Sequence, residues 1–261
     1  MSSNPYAAPK APVADAAIAS QGNFVPGGHG VEAGHGWNWI VGGWELFKKQ
    51  PGMWIGLIIV ALIITIVLAI IPFIGSLALM IIGPVFGGGI MLGCKALSEG
   101  GELELGHLFA GFKERFGSLA AIGAIYLVAS IVIALVVGLV TGAGMFALMS
   151  GGRDPSAGQA AGAMMGMMLA VLIMFALLLP VWMAIWFAPA LVVLNQRGAV
   201  EAMKESFWGC LKNIIPMLVY SVILFVAAII AAIPLGLGWL VLGPVLAGSL
   251  YASYRDIYYT A

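Results

Sequence analysis

Charge in this chain is confined to a few short bands, and the stretches between them are continuously apolar. Three bands carry apolar residues at helical spacing. They are Trp37, Ile40, Trp44 and Phe47; then Leu105, Leu108, Phe112 and Phe116; then Val200, Met203, Phe207 and Cys210. Each series predicts a short amphipathic helix with one apolar face. Each ends on basic residues: Lys48 and Lys49, Lys113 and Arg115, and Lys212.

The apolar runs that follow predict membrane spans. Gly52–Ile71 is twenty residues without a charge, enough to cross about 30 Å of hydrocarbon at about 1.5 Å per residue. Pro72–Gly75 reads as a tight turn, and Ser76–Gly93 as the returning span. Ser118–Ser150 and Ala157–Leu194 form a second pair, joined by Gly151–Pro155. Ile214–Ile233 and Gly238–Ser253 form a third, joined by Pro234–Gly238. The middle pair is too long, since 33 helical residues reach about 50 Å. It must protrude or break near Gly138, Gly142 and Gly144, and Pro180 is expected to kink its second arm. The second arm of every pair holds a proline after a small residue: Gly83-Pro84, Ala188-Pro189 and Gly243-Pro244.

The expected fold class is therefore an all-α polytopic membrane helix bundle. Its six spans form three repeats, each an interfacial helix followed by a hairpin, over residues 35–95, 103–197 and 198–255. Residues 1–34 are rich in Ala, Pro, Gly and Ser and are expected to be a disordered cytoplasmic tail, leaving 35–261 as the membrane domain. Tyr251–Ala261 reads as an aromatic, interfacial tail.

Composition agrees. Charged residues make up 8% of the chain, against about 25% in soluble domains, too few to cover a soluble globule. The apolar runs are continuous, unlike the alternating strands of a membrane barrel. Lys10, Lys48, Lys49, Lys95, Lys113, Arg115, Arg197, Lys204, Lys212 and Arg255 fall on one side of the six spans, and only Arg153 on the other. The positive-inside rule then places both termini in the cytoplasm. A net charge of zero implies no nucleic-acid partner.

Candidate chemistry is sparse. No Asp, Glu, Lys, Arg or His lies inside an expected span, so neither a proton relay nor a catalytic set can be assembled at membrane depth. The expectation is a protein that is not an enzyme and needs no cofactor or metal. Cys94 and Cys210 read as apolar fillers. His29 and His35 lie in a Gly-rich tail that would hold a metal weakly. The methionines of Met164–Met168 read as packing residues. Candidate lipid-headgroup contacts are Lys48, Lys49, Lys113, Arg115 and Lys212. Candidate kink or cavity residues are Pro84, Pro189 and Pro244. Membrane lipids are the expected partners, with a second copy or another membrane protein as the other class.

Three features carry a resemblance across nearly the whole chain. They are the start Asn4-Pro5-Tyr6-Ala7-Ala8-Pro9, the helix motif Gly43-Trp44-Glu45-Leu46-Phe47, and Gly-Pro in the second arm of a hairpin. With them the chain resembles an uncharacterised family of proteobacterial six-span inner-membrane proteins. It also looks like the membrane domain that precedes some bacterial glycerophosphodiesterases, although no catalytic domain follows here. The resemblance implies an integral inner-membrane protein and brings no site residues. The expected role is scaffold, lipid-interacting or envelope maintenance; the alternative is a pore or uncoupled exporter for a small neutral or apolar solute.

Overall fold

The computed structural model describes residues 22–149 and 157–260. In order the elements are β1 (Asn23–Phe24), α1 (His35–Lys49), α2 (Pro51–Ala69), α3 (Ile74–Ser98), a 3-10 turn (Leu105–Phe109), α4 (Ala110–Glu114) and α5 (Phe116–Met149). They continue with α6 (Ala157–Trp186), α7 (Ala188–Asn195), α8 (Ala199–Lys212), α9 (Ile214–Ala232), α10 (Trp239–Tyr258) and β2 (Tyr259–Thr260). The protein is all-α apart from one antiparallel contact between β1 and β2.

Five segments are long and apolar enough to cross a membrane: Pro51–Ala69, Ile74–Ser98, Phe116–Ala143, Ala157–Asn195 and Ile214–Ala232. They mark a multi-pass membrane protein. The sixth expected span, α10, falls short by composition. Its second half carries Arg255 and Asp256 and is wrapped in protein rather than apolar throughout. There Tyr254, Ile257 and Tyr258 are fully buried. The aromatic end of the chain is thus not an interfacial tail but part of the core. Its ring stacks and hydroxyl bonds are satisfied inside the molecule, where tyrosine buries large area and still finds partners.

The expected hairpins form. Phe73 lies at φ 60°, Leu235 at φ 54° and Gly236 at φ 82° in the two short turns. At the end of each turn a glycine lies against the backbone seven residues earlier, Gly75 on Leu68 and Gly238 on Ala231. The middle hairpin has unbroken first-arm helix through Gly138 and Gly142, so α5 extends about 50 Å. The loop at 151–155 lies outside the described residues. α6 continues through Pro180 and ends only at Trp186.

The buried cluster gathers around the three amphipathic segments. Away from it, large apolar side chains such as Ile70, Leu139 and Phe146 are exposed, as lipid-facing surfaces are. Each segment packs on the second arm of a different hairpin. α1 crosses α10 and α9, the 3-10 turn and α4 cross α3, and α8 crosses α6 and α7.

The expected apolar stripes supply only part of the packing faces: Phe47, Leu108 and Cys210 are buried, but other members of each stripe are not. Trp37 and Trp44 are exposed, while α1 buries Gly36, Trp39, Gly43, Leu46 and Phe47. Leu105, Phe112 and Val200 are likewise exposed, and α8 buries Ala202, Ser206, Gly209 and Cys210. In lipid, large apolar side chains gain little by leaving the surface, whereas small ones let backbones approach.

Part of the expected N-terminal tail is ordered, which corrects the disordered boundary at Gly34; residues 1–21 lie outside the described residues. Val25 N–H donates to Tyr258 O at 2.8 Å, and His29 N–H to Ile257 O at 2.9 Å. The segment has few apolar residues but many backbone groups, and α8 and α10 supply their partners.

Candidate functional site

α3, α5, α6 and α7 enclose an apolar groove of about 460 Å³. Gly83, Pro84 and Gly87 form its floor along α3. Trp182 and Trp186 face it from α6, Tyr126 from α5, and Pro189 from the start of α7. The groove follows from local sequence. Gly83 and Gly87 carry no side chain, so α3 presents a trough at this level, and the two tryptophans, four residues apart, stand on one side of α6 as its wall.

Its chemistry is that of a hydrocarbon site with a few donors. No Asp, Glu, Lys, Arg or His lines it. Pro84 lies inside α3 and has no N–H, so the carbonyl of Met80 lacks its usual helical donor. Met80 lines the groove. The Tyr126 hydroxyl and the indole N–H groups complete the polar content. Trp182 is more than half exposed and Gly83 is exposed, so the groove opens outward on one side of the bundle.

Of the three candidate prolines, the structure brings two together. The Cβ position of Gly87 lies 3.7 Å from Pro189, one turn from Pro84. Pro244 is elsewhere, buried in α10. Its neighbours Gly243 and Val245 meet Ile58 of α2 and Gly43 of α1. The three prolines therefore do not share one cavity.

α6 and α7 are separated by a specific device. The Phe187 N–H donates to Ser206 Oγ at 2.9 Å, and Ser206 Oγ–H donates to Met183 O at 2.7 Å. Phe187 and Met183 are four apart, so the hydroxyl is inserted into what would be one helical hydrogen bond. This opens the helix and sets Pro189 at the start of α7, where its missing N–H costs nothing. Cys210 Sγ also lies 3.5 Å from Met183 O, and burial pushes its thiol up to about 12, leaving it unreactive.

The candidate headgroup residues are mostly engaged by protein. Lys49 Nζ donates to Leu97 O at 2.8 Å, and Lys212 Nζ to Gly28 O at 2.7 Å. Arg115 donates to the carbonyls of Gln196 and Arg197, both at 3.0 Å. Lys48 pairs with Glu45 at 2.7 Å on the surface. Lys113 is exposed and makes no ion pair among the described residues. Beside Arg115, Arg197 reaches Glu205 at 3.2 Å, and burial raises the Glu205 carboxyl above the usual range while Arg197 opposes that rise. Sequence reading missed Tyr126, Ser206, Trp182 and Trp186. The two tryptophans carried a signal in their spacing of four, and Ser206 in its alignment with Gly43 and Gly111.

The chain belongs to the family described as a domain of unknown function (DUF7847), whose family model matches residues 42–254. Neither the curated proteins nor the solved structures give a match.

Proposed function

We propose that this member of the family is a non-enzymatic, lipid-interacting protein of the bacterial inner membrane, whose groove holds a lipid hydrocarbon chain. The observation that carries the reading is the groove itself. It is apolar, it opens sideways, it lies against segments that are long enough to span a bilayer, and no Asp, Glu, Lys, Arg or His lines it. Its volume suits a bound organic chain. An axial pore would draw on all three hairpins, whereas this groove takes no residue from α1, α2, α8, α9 or α10.

The same proposal takes the chain as six spans in three repeats, with both termini cytoplasmic. Two details support it. Gly43 and Gly111 precede the aligned residues Trp44 and Phe112, and each lies on the carbonyl one residue beyond a proline, Val245 O and Val85 O respectively. The third segment puts Ser206 on α6 in the corresponding place, two turns before Pro189 rather than beside it. Each amphipathic segment thus seats on the preceding hairpin, and α1 closes the ring on the last.

Gly83→Phe tests the groove. No atom lies within 4 Å of the Cβ position there, so the ring enters open space. The variant should keep its thermal stability and lose the lipid that survives detergent purification, read by native mass spectrometry. Equal lipid retention in both proteins overturns the reading. Orientation has its own measurement. Cys94 and Cys210 are buried, so background labelling is low. A cysteine at exposed Ser76 should react with an impermeant reagent in spheroplasts, and one at exposed Glu102 only after lysis. The reverse pattern inverts the topology.

A further inference from the structure

The C-terminal ends of α3, α7 and α10 meet around a small polar hollow of about 40 Å³. It shares no residue with the groove. Lys95 enters it from α3, Arg255 from α10, and Tyr259 from β2, with Leu194, Tyr251 and Tyr254 as walls. No carboxylate lines it.

Its polar groups are organised and incompletely used. Ser98 Oγ–H donates to Lys95 O at 2.8 Å, so the Tyr251 hydroxyl is the donor in its 2.9 Å contact with Ser98. The Tyr254 hydroxyl donates to Asn195 Oδ1, and Asn195 Nδ2 donates to the Tyr259 oxygen at 2.9 Å. The Tyr259 hydroxyl proton therefore has two positions, on the Tyr254 oxygen at 3.1 Å or turned into the hollow, with no other acceptor for it among the described residues. Arg255 stacks its guanidinium 4.3 Å over the Tyr259 ring. It makes no hydrogen bond or ion pair to a protein acceptor among the described residues, which leaves the in-plane N–H edges free. Lys95 has only Glu99, at 3.9 Å on the surface, a pair of little strength.

Basic residues in a last helical turn offset the helix dipole. That role needs each cation near its own helix end. It does not require two of them, from two helices, to face one hollow beside a tyrosine hydroxyl. Two cations and a hydroxyl, with no carboxylate in the lining and Glu99 only at the surface side of Lys95, are the donor set of an oxyanion site. One water takes about 10–15 Å³ on the same measure, so the hollow admits a tetrahedral group but no sugar or base.

We propose that Lys95, Arg255 and Tyr259 form a phosphate site, for either a lipid phosphate headgroup or free phosphate. Basic pockets between membrane helices bind headgroups in this way. The site stands apart from the groove reading and does not depend on it.

The experiment uses the full chain in nanodiscs, with inorganic phosphate as one probe and phosphatidylglycerol in a phosphatidylcholine bilayer as the other. Binding of phosphate in neutral discs identifies the free anion as a ligand; selective enrichment of phosphatidylglycerol without phosphate binding identifies the headgroup. Either signal should weaken about tenfold in Lys95→Gln and in Arg255→Gln, and less in Arg255→Lys and Tyr259→Phe. Lys204→Gln, at an exposed lysine that lines neither site, should leave it unchanged. Thermal stability without either probe is measured on each variant, and Arg255→Lys keeps the test open if Arg255→Gln fails to fold. No binding of either probe to the wild type overturns the proposal, as do equal signals in all variants or an equal loss in Lys204→Gln.

Discussion

Gly111→Ala is expected to leave little folded protein, and Gly43→Ala to do the same at the other end of the ring. A Cβ on Gly111 would sit 2.1 Å from Val85 O, and one on Gly43 would sit 2.3 Å from Val245 O and 2.6 Å from Ser249 N. These neighbours are backbone atoms of α3 and α10, so no side chain can swing away. The helices must separate, and overpacking of this kind costs about 1–3 kcal/mol, with more where the backbone has to move. We expect at least about 3 kcal/mol for each variant, seen as loss of the monodisperse peak in detergent and a lower unfolding temperature. Gly52→Ala is the control. It has no atom within 4 Å, and alanine there gains about 1 kcal/mol of helix propensity. Wild-type stability in Gly111→Ala would show that the crossing is looser than described.

These two glycines show what was legible in the sequence and what was not. Aligning Trp44, Phe112 and Phe207 places Gly43, Gly111 and Ser206 in one column, and the structure seats all three on a neighbouring hairpin. The element order and the hairpins were likewise readable, because long charge-free runs between basic bands have few other solutions. The packing face was not. An apolar stripe faces inward in water, but lipid weakens that preference, so Trp37 and Trp44 point out while Gly36 and Gly43 pack inward beside Trp39, Leu46 and Phe47. The basic residues misled for a related reason. Sequence shows the charge of Lys49, Arg115 and Lys212 but not that carbonyls of Leu97, Gln196, Arg197 and Gly28 lie within reach. Pro84 and Pro189 were visible as breakers. That they share the groove while Pro244 does not follows from α3 packing on α7 and α10 packing on α1 and α2, which spacing along the chain does not encode.

Asn213→Ala is expected to release the ordered N-terminal segment around Val31 from the rest of the molecule. Asn213 is completely buried between α8 and α9. Its Oδ1 accepts the Val31 N–H at 2.8 Å, and its Nδ2 donates to His29 O at 2.7 Å and to Gly209 O at 2.8 Å. Alanine removes all three bonds and leaves the Val31 amide and the His29 carbonyl without that partner. Stranded polar groups cost about 1–3 kcal/mol each while they stay buried. The segment escapes that cost by opening to water around Val31, while the two backbone bonds to α10, the Lys212 bond, the strand pairing and the Phe24 ring contacts with Tyr258, Tyr259 and Arg197 tie its earlier part. The expected loss is about 3 kcal/mol against local opening, a rise of about a hundredfold in the open fraction. Hydrogen exchange at the Val31 amide reads this directly, and the membrane helices should keep their own exchange rates. Asn213→Asp keeps the acceptor for Val31 and loses the donors, so its exchange rate should fall between the two. Unchanged exchange at Val31 in Asn213→Ala would mean that β1 and the Lys212 contact hold the segment without Asn213.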